Sequence, residues 1–143
     1  MALRLRRSAI LRRPRQPVEL DVVLTEAVLS TVVGSPATME LQMQHLADMS
    51  TRDNVRIRIV PFSAGLPTNS ILTPYTIMDF QQSASKPVEP AVVYAENIIG
   101  SMFYQDDKDV RRFREIHDEV RGAARGEDQS REMLRQAARR YRR

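Results

Sequence analysis

The stretch that decides the fold is VRIRIV, residues 55–60, in which apolar side chains alternate with Arg56 and Arg58. A period of two is the pattern of a β-strand that buries one face and exposes the other. Pro61 ends this strand, because proline has no N–H group to continue a ladder. The stretch therefore predicts a half-buried strand that supports a core on one side.

A second strand and a helix are predicted upstream of this stretch. Residues 18–24, VELDVVL, alternate in the same way, and the short apolar run AVLSTVV, 27–33, favours one or two turns of helix. Ser35 is a typical helix N-cap with Pro36 at the first helical position, and a helix over 36–49 follows. Strand, helix and strand at this spacing predict one parallel βαβ unit.

The downstream half predicts two more strands and two helices. Residues 71–80 and 91–96 are strand-like, and helical periodicity begins near Asp106 and again near Asp128. We therefore expect an α+β fold: a small mixed four-stranded sheet with one βαβ unit, helices packed on it, and two C-terminal helices.

The composition excludes several classes of protein. The chain has 143 residues, 42% of them hydrophobic, and no cysteine, which excludes disulfides and thiolate-bound metals. No apolar run approaches the roughly 20 residues that a membrane span needs. We expect a cytoplasmic protein without membrane contact.

The charge is concentrated at the two ends. Residues 1–16 carry six arginines and no acid, residues 131–143 carry a net charge of +5, and the stretch between them is acidic. The ends offer a weak nucleic-acid contact, for which the candidates are Arg139, Arg140, Arg142 and Arg143. The acidic body is a poor ligand for a polyanion.

These patterns divide the chain into three segments. Residues 1–16 are predicted to hold a basic amphipathic linker helix over 3–13, residues 17–126 an α+β domain, and residues 127–143 an arginine-rich C-terminal helix. The linker helix is too short and too charged to be stable without a partner.

No catalytic constellation is found in the sequence. There is no phosphate-binding loop, no HExxH motif and no G-x-S-x-G elbow. His45 and His117 are isolated, and His117 lies on the apolar stripe of its helix, where a structural role is the more common one. We expect no catalytic residue, no metal ligand and no cofactor.

Two carboxylates remain of interest because each directly follows an apolar strand. Glu26 and Glu96 are placed where functional groups often lie, and together they offer a site for a cation or a basic group. The alternative, which we favour, is that each caps the next turn or pairs with Arg56 or Arg58. An enzyme that uses both carboxylates, such as a hydrolase, is the weakest of the hypotheses.

Apolar side chains in irregular segments are the other candidate site. The loop 61–70 contains Phe62 and Leu66, and the run 98–104 contains Met102, Phe103 and Tyr104. The two segments form either part of the core or an apolar groove, and a groove indicates a ligand pocket or a protein interface.

Six segments in order carry a resemblance to a known family. They are ILRR (10–13), VVLTEAVL (22–29), NVRIRIVPFSAG (54–65), YTIMDF (75–80), VVYAENIIG (92–100) and YQDDKDVRRFREIHDEVRGAA (104–124). Together they resemble the effector domain that follows a helix-turn-helix in actinobacterial transcriptional regulators, the domain of unknown function numbered 5753. The resemblance covers roughly residues 5 to 139.

The resemblance implies a regulatory domain without enzymatic activity. Members are described as antitoxin-like and are paired with a small partner protein encoded nearby. It implies a homodimer that reads DNA only through a helix-turn-helix, which is absent from this chain. The alternative is that the same domain senses a small molecule.

Overall fold

The computed structural model describes residues 9–68, 72–80 and 89–142. These residues form two compact units, one that combines the chain up to Gly65 with the chain from Ala123 onward, and one that comprises Leu66–Gly122. Within the described ranges the elements, in chain order, are β1 (Leu20–Thr25), α1 (Ala27–Ser30), α2 (Pro36–Met49), β2 (Val55–Val60), β3 (Tyr75–Met78), β4 (Val92–Glu96), β5 (Ser101–Tyr104), α3 (Asp107–Ala123) and α4 (Glu127–Tyr141).

The α+β class is confirmed, but the single four-stranded sheet is wrong. The described strands form two sheets, a parallel pair β1–β2 and an antiparallel sheet of order β3–β4–β5. The prediction missed β5 because four residues directly behind an apolar turn are too few to show alternation. It also overextended β3, which begins after Pro74.

The βαβ arrangement of the first unit agrees with the sequence. Strands β1 and β2 are parallel, with Leu20 opposite Val55 and Thr25 opposite Val60. The predicted N-cap of α2 is also confirmed, because the Ser35 hydroxyl accepts a hydrogen bond from the Thr38 N–H at 3.1 Å.

The core of the first unit lies between β2 and the helices. The apolar residues of β2 face α2 and α4, and the short helix α1 adds Leu29. Leu134 and Ile59 have no exposed surface. The buried residues of this core are Leu29, Met39, Met43, Ala47, Val55, Ile57, Ile59, Leu134, Ala137 and Ala138. The last helix is therefore part of the same core as the βαβ unit.

Helix α4 and the residues just before it also supply hydrogen-bond partners to the backbone of β2, along the edge of β2 that faces away from β1. The Ile59 N–H donates to the Ser130 hydroxyl at 2.9 Å, and that hydroxyl is 3.1 Å from the Arg125 carbonyl oxygen, to which it donates. The Arg125 N–H in turn donates to the Ile59 carbonyl at 2.8 Å. These bonds close a strand edge that would otherwise have unpaired polar groups.

Ion pairs cover the other face of the parallel sheet. Arg58 contacts both Asp21, at 2.7 Å, and Glu127, at 2.8 Å. Arg56 lies 3.8 Å from Glu19. The two arginines of the alternating strand therefore face outward, as the period of two requires.

The described part of the N-terminal segment is mainly a loop, and residues 9–13, where the predicted linker helix would end, form no α-helix. Its described part begins with a 3-10 turn at Ala9–Arg12, and residues 1–8 lie outside the described residues. The Asn54 side-chain amide donates to the Leu11 carbonyl at 3.1 Å and to the Val18 carbonyl at 2.9 Å. Residues 12–17, which we call the arginine loop, are therefore closed at their base by one side chain.

The second unit packs the antiparallel sheet on α3 through aromatic rings. Tyr75 of β3 and Tyr104 of β5 both contact Phe113, with ring centroids 5.3 and 5.2 Å apart. His117 lies 6.4 Å from Tyr75 in an edge-on arrangement. The buried side chain of Val93, in the central strand, completes this small core.

Burial raises the pKa of Tyr75 above its ordinary value of 10.0. Because the folded pKa lies above the unfolded one, the phenol favours the folded state fully below pH 10, and this contribution is lost as the pH rises through the folded pKa. In an ultraviolet titration of the chain's four tyrosines we expect one component that titrates above the ordinary range. Tyr75→Phe should remove it and urea should abolish it. A variant that keeps this component would contradict the assignment.

Candidate interaction surface

The turn between β4 and β5 presents two fully exposed isoleucines. Ile98 and Ile99 have relative exposures of 105% and 99%. The Asn97 N–H donates to the Gly100 carbonyl at 2.8 Å, and the Asn97 side-chain oxygen accepts from the N–H groups of Ile99 and Gly100 at 2.9 and 3.0 Å. The turn is thus held by its own backbone and one amide, while its apolar side chains project into solvent.

Strand β5 extends this apolar surface. Met102 is about half exposed, and Phe103 is 63% exposed although its ring lies 5.1 Å from that of Tyr94. The hairpin surface is defined here as Ile98, Ile99, Met102 and Phe103. Met102 and Phe103 are consecutive in β5 and therefore lie on opposite faces of the sheet, so the hairpin surface includes both faces. Large exposed apolar side chains of this kind are typical of an interaction site.

No described strand pairs with the outer edge of β5. Within the described residues β5 has β4 as its only strand neighbour, and it carries no charged side chain. Soluble proteins usually protect such an edge with charges, proline or a covering element. The hairpin surface therefore combines apolar side chains with backbone groups that a further strand can pair.

A groove lies at the base of this turn. It measures about 630 Å³ and is lined by Thr73, Pro74, Glu96, Asn97, Ile98 and Ile99. Its lining is largely apolar, with the Glu96 carboxylate as the one charge, and it opens broadly to solvent. Such a shape suits the side chain of a partner better than an enclosed small molecule.

The two carboxylates singled out in the sequence lie in different units. Glu26 follows β1, and its carboxylate accepts a hydrogen bond from the Phe62 N–H at 2.8 Å. Its own N–H donates to the Val60 carbonyl at 2.8 Å. Glu26 therefore fixes the turn after β2 and makes no side-chain cap bond to α1, the turn that directly follows it, whereas Glu96 lines the groove of the second unit.

The apolar candidates are divided in the same way. Phe62, in the first unit, is 64% exposed, and Leu66, in the second, is 59% exposed. Tyr104 is half-buried against Phe113 and belongs to the core of its unit. Only Met102 and Phe103 of the predicted set join the hairpin surface. Ile98 and Ile99 belong to the apolar run 98–104 that the sequence analysis singled out. The sequence alone could not show whether this run is buried or exposed.

Two of the four C-terminal arginines predicted to contact nucleic acid are engaged by carboxylates. Arg139 lies 2.6 Å from Glu132, and Arg142 lies 2.7 Å from Glu40. The hydrogen bond from Arg139, with help from Gln136, holds the pKa of Glu132 below its usual range. Arg140 is exposed, and Arg143 lies outside the described residues. The nucleic-acid contact at this end of the chain stays a prediction.

A metal site and a membrane-spanning helix each have requirements that can be checked in the described ranges. No group of three or more histidine or carboxylate side chains among these residues is placed to hold a metal ion. None of the helices in the same ranges has both the length and the apolar character needed to cross a bilayer.

One comparison with known proteins identifies a relationship. The profile of a family described as Domain of unknown function (DUF5753) matches residues 1–136. No curated protein and no solved structure matches the chain. The match covers both compact units.

Proposed function

This chain belongs to the DUF5753 family, and from that premise we propose that it is the regulatory domain of a helix-turn-helix transcriptional regulator. It acts in the cytoplasm by binding other protein chains, a second copy of itself and a small partner protein, without making or breaking a covalent bond. DNA is read by the helix-turn-helix module. The single observation that carries the proposal is the exposed hairpin surface of the second unit.

The hairpin surface supports protein association in two ways. Covering Ile98 and Ile99 removes two large aliphatic side chains from water, and each buried side chain of this size is worth about 1.5–3 kcal/mol. The outer edge of β5, with which no described strand pairs, lets a partner strand form main-chain hydrogen bonds next to these side chains. Affinity then comes from both the backbone and the apolar contact.

A small-molecule sensor is the second candidate, and the groove beside Glu96 is what favours it. Sites for small molecules usually enclose most of the ligand surface. This groove is broad and open, so a protein side chain is the better occupant. A thermal-shift screen tests the alternative, since a ligand that binds only the folded chain raises its apparent stability.

Sedimentation velocity over a range of concentrations tests the association. We expect a reversible dimer, and we expect the double variant Ile98→Asp/Ile99→Asp to weaken it by at least about 100-fold, the equivalent of losing two buried aliphatic side chains. The matched control is Val32→Asp/Val33→Asp, which places the same charges on exposed aliphatic residues of the first unit. The control should dimerise like the original chain.

The partner protein is tested by co-expression with the small protein encoded next to the chain. We expect a complex in size-exclusion chromatography with light scattering. A chain that stays monomeric at every concentration and forms no complex would contradict the proposal. Equal loss of association in both double variants would show that the hairpin surface is not responsible.

A further inference from the structure

We infer that the arginine loop, residues 12–17, binds the sugar-phosphate backbone of duplex DNA. The inference rests on the proposed function, because it assigns to this domain a contact with the DNA that the regulator reads. It concerns the first unit, whereas the association surface lies in the second.

The loop presents its cations on a backbone that is tied down at its base. Arg12, Arg13 and Arg15 are all exposed, and Pro14 and Pro17 restrict the backbone between and after them. The Asn54 amide closes the base of the loop by bonding to the carbonyls on both sides. The closed base and the two prolines reduce the backbone entropy that is lost when the loop binds, which favours affinity.

A fourth cation stands beside the loop. Arg52 donates to the Leu11 carbonyl at 3.3 Å, so its guanidinium lies against the first peptide of the loop. Asp53 follows it in the chain, and Glu19 is engaged by Arg56. Arg52 thus adds a fourth guanidinium next to the start of the arginine loop.

The loop arginines are not neutralised by carboxylates. In the ranges 9–68, 72–80 and 89–142, no acidic side chain lies within ion-pair distance of Arg12, Arg13 or Arg15. At the other end of the chain Arg139 and Arg142 do have carboxylate partners. Within these ranges Arg12, Arg13 and Arg15 are therefore available to an external anion.

The spacing of the loop arginines suits a nucleic-acid strand. The three residue steps from Arg12 to Arg15 span at most about 10 Å. One strand of duplex DNA carries about three phosphates in that distance along its axis. The planar guanidinium binds phosphate oxygens in a bidentate manner, so each arginine can hold one phosphate. An acidic protein surface, with its irregularly spaced carboxylates, does not offer the regular density of negative charge that a DNA strand has.

The salt dependence of DNA binding tests the inference. Fluorescence anisotropy with a duplex of arbitrary sequence, read with the complete chain, should show an association constant that falls by about 40-fold between 50 and 200 mM salt if three phosphates are contacted. Arg12→Gln/Arg13→Gln/Arg15→Gln should abolish most of this dependence and weaken binding at low salt. Arg12→Lys/Arg13→Lys/Arg15→Lys keeps the charge and should keep the slope.

The matched control removes the same charge from the other end. Arg139→Gln/Arg140→Gln/Arg142→Gln should bind DNA almost as the original chain does. The inference is overturned if this control loses the salt-dependent binding and the loop variant keeps it. It is also overturned if the original chain binds no duplex, or prefers an RNA duplex by tenfold or more. Sedimentation of the same samples reports dimerisation separately, so a failed association and a failed DNA contact are distinguishable.

Discussion

Leu134→Ala is expected to lower the free energy of unfolding of the first unit by about 3–5 kcal/mol, the range for leucine truncation in a rigid core. Leu134 lies on α4 with no exposed surface, among residues of α2 and β2. Its removal leaves a cavity between elements that are far apart in the chain and cannot easily collapse. Urea denaturation followed by circular dichroism measures the loss, and hydrogen exchange of the β2 amides locates it in the first unit.

The neighbouring residue provides the control for this truncation. Arg135 is exposed on the same helix, so Arg135→Ala should change the stability by no more than about 0.5 kcal/mol. A loss below 1 kcal/mol for Leu134→Ala would mean that α4 does not close the core of the first unit.

Ser130→Ala is expected to cost about 1–3 kcal/mol, the penalty for leaving a buried polar group without its partner. The Ser130 side chain has no exposed surface, and its hydroxyl accepts the Ile59 N–H and donates to the Arg125 carbonyl. Removing one oxygen therefore leaves two backbone groups unsatisfied. Faster hydrogen exchange of the Ile59 amide, beyond that of its neighbours in β2, is the specific measurement.

Gln129→Ala is the matched control for the serine. It removes a polar side chain one position earlier on the same helix, where the residue is exposed, so the stability should stay within about 0.5 kcal/mol. Unchanged exchange at Ile59 in Ser130→Ala would contradict the assigned hydrogen bond.

The first unit was largely predictable because its signals are local. Alternation in 55–60 fixes which face of β2 is buried, and the Ser35-Pro36 pair fixes where α2 begins. Strand pairing could not be predicted in this way. Alternation shows which face of a strand is buried, but it does not show which other strand lies beside it. For this reason the strands of the second unit were assigned to the same sheet as β1 and β2, although they form a sheet of their own.

The candidate site could be predicted only in part. The apolar run 98–104 was recognised, but exposure depends on whether tertiary packing covers it, and Tyr104 is packed whereas Ile98 is not. The closed shape of the arginine loop was not predicted, because the sequence pattern at Pro14 and Pro17 indicates only that a helix ends there. The contact that gives this loop its shape comes from Asn54, far along the chain.

The first unit is discontinuous in the chain, and this affects its assembly during synthesis. Residues up to Gly65 leave the ribosome about 60 positions before α4 begins at Glu127. At about 5–20 residues per second, the nascent βαβ half waits roughly 3–12 s with Met43 and Ile59 uncovered. During that interval its apolar face is accessible to chaperones, and release of the C-terminal helix is the event that completes the fold.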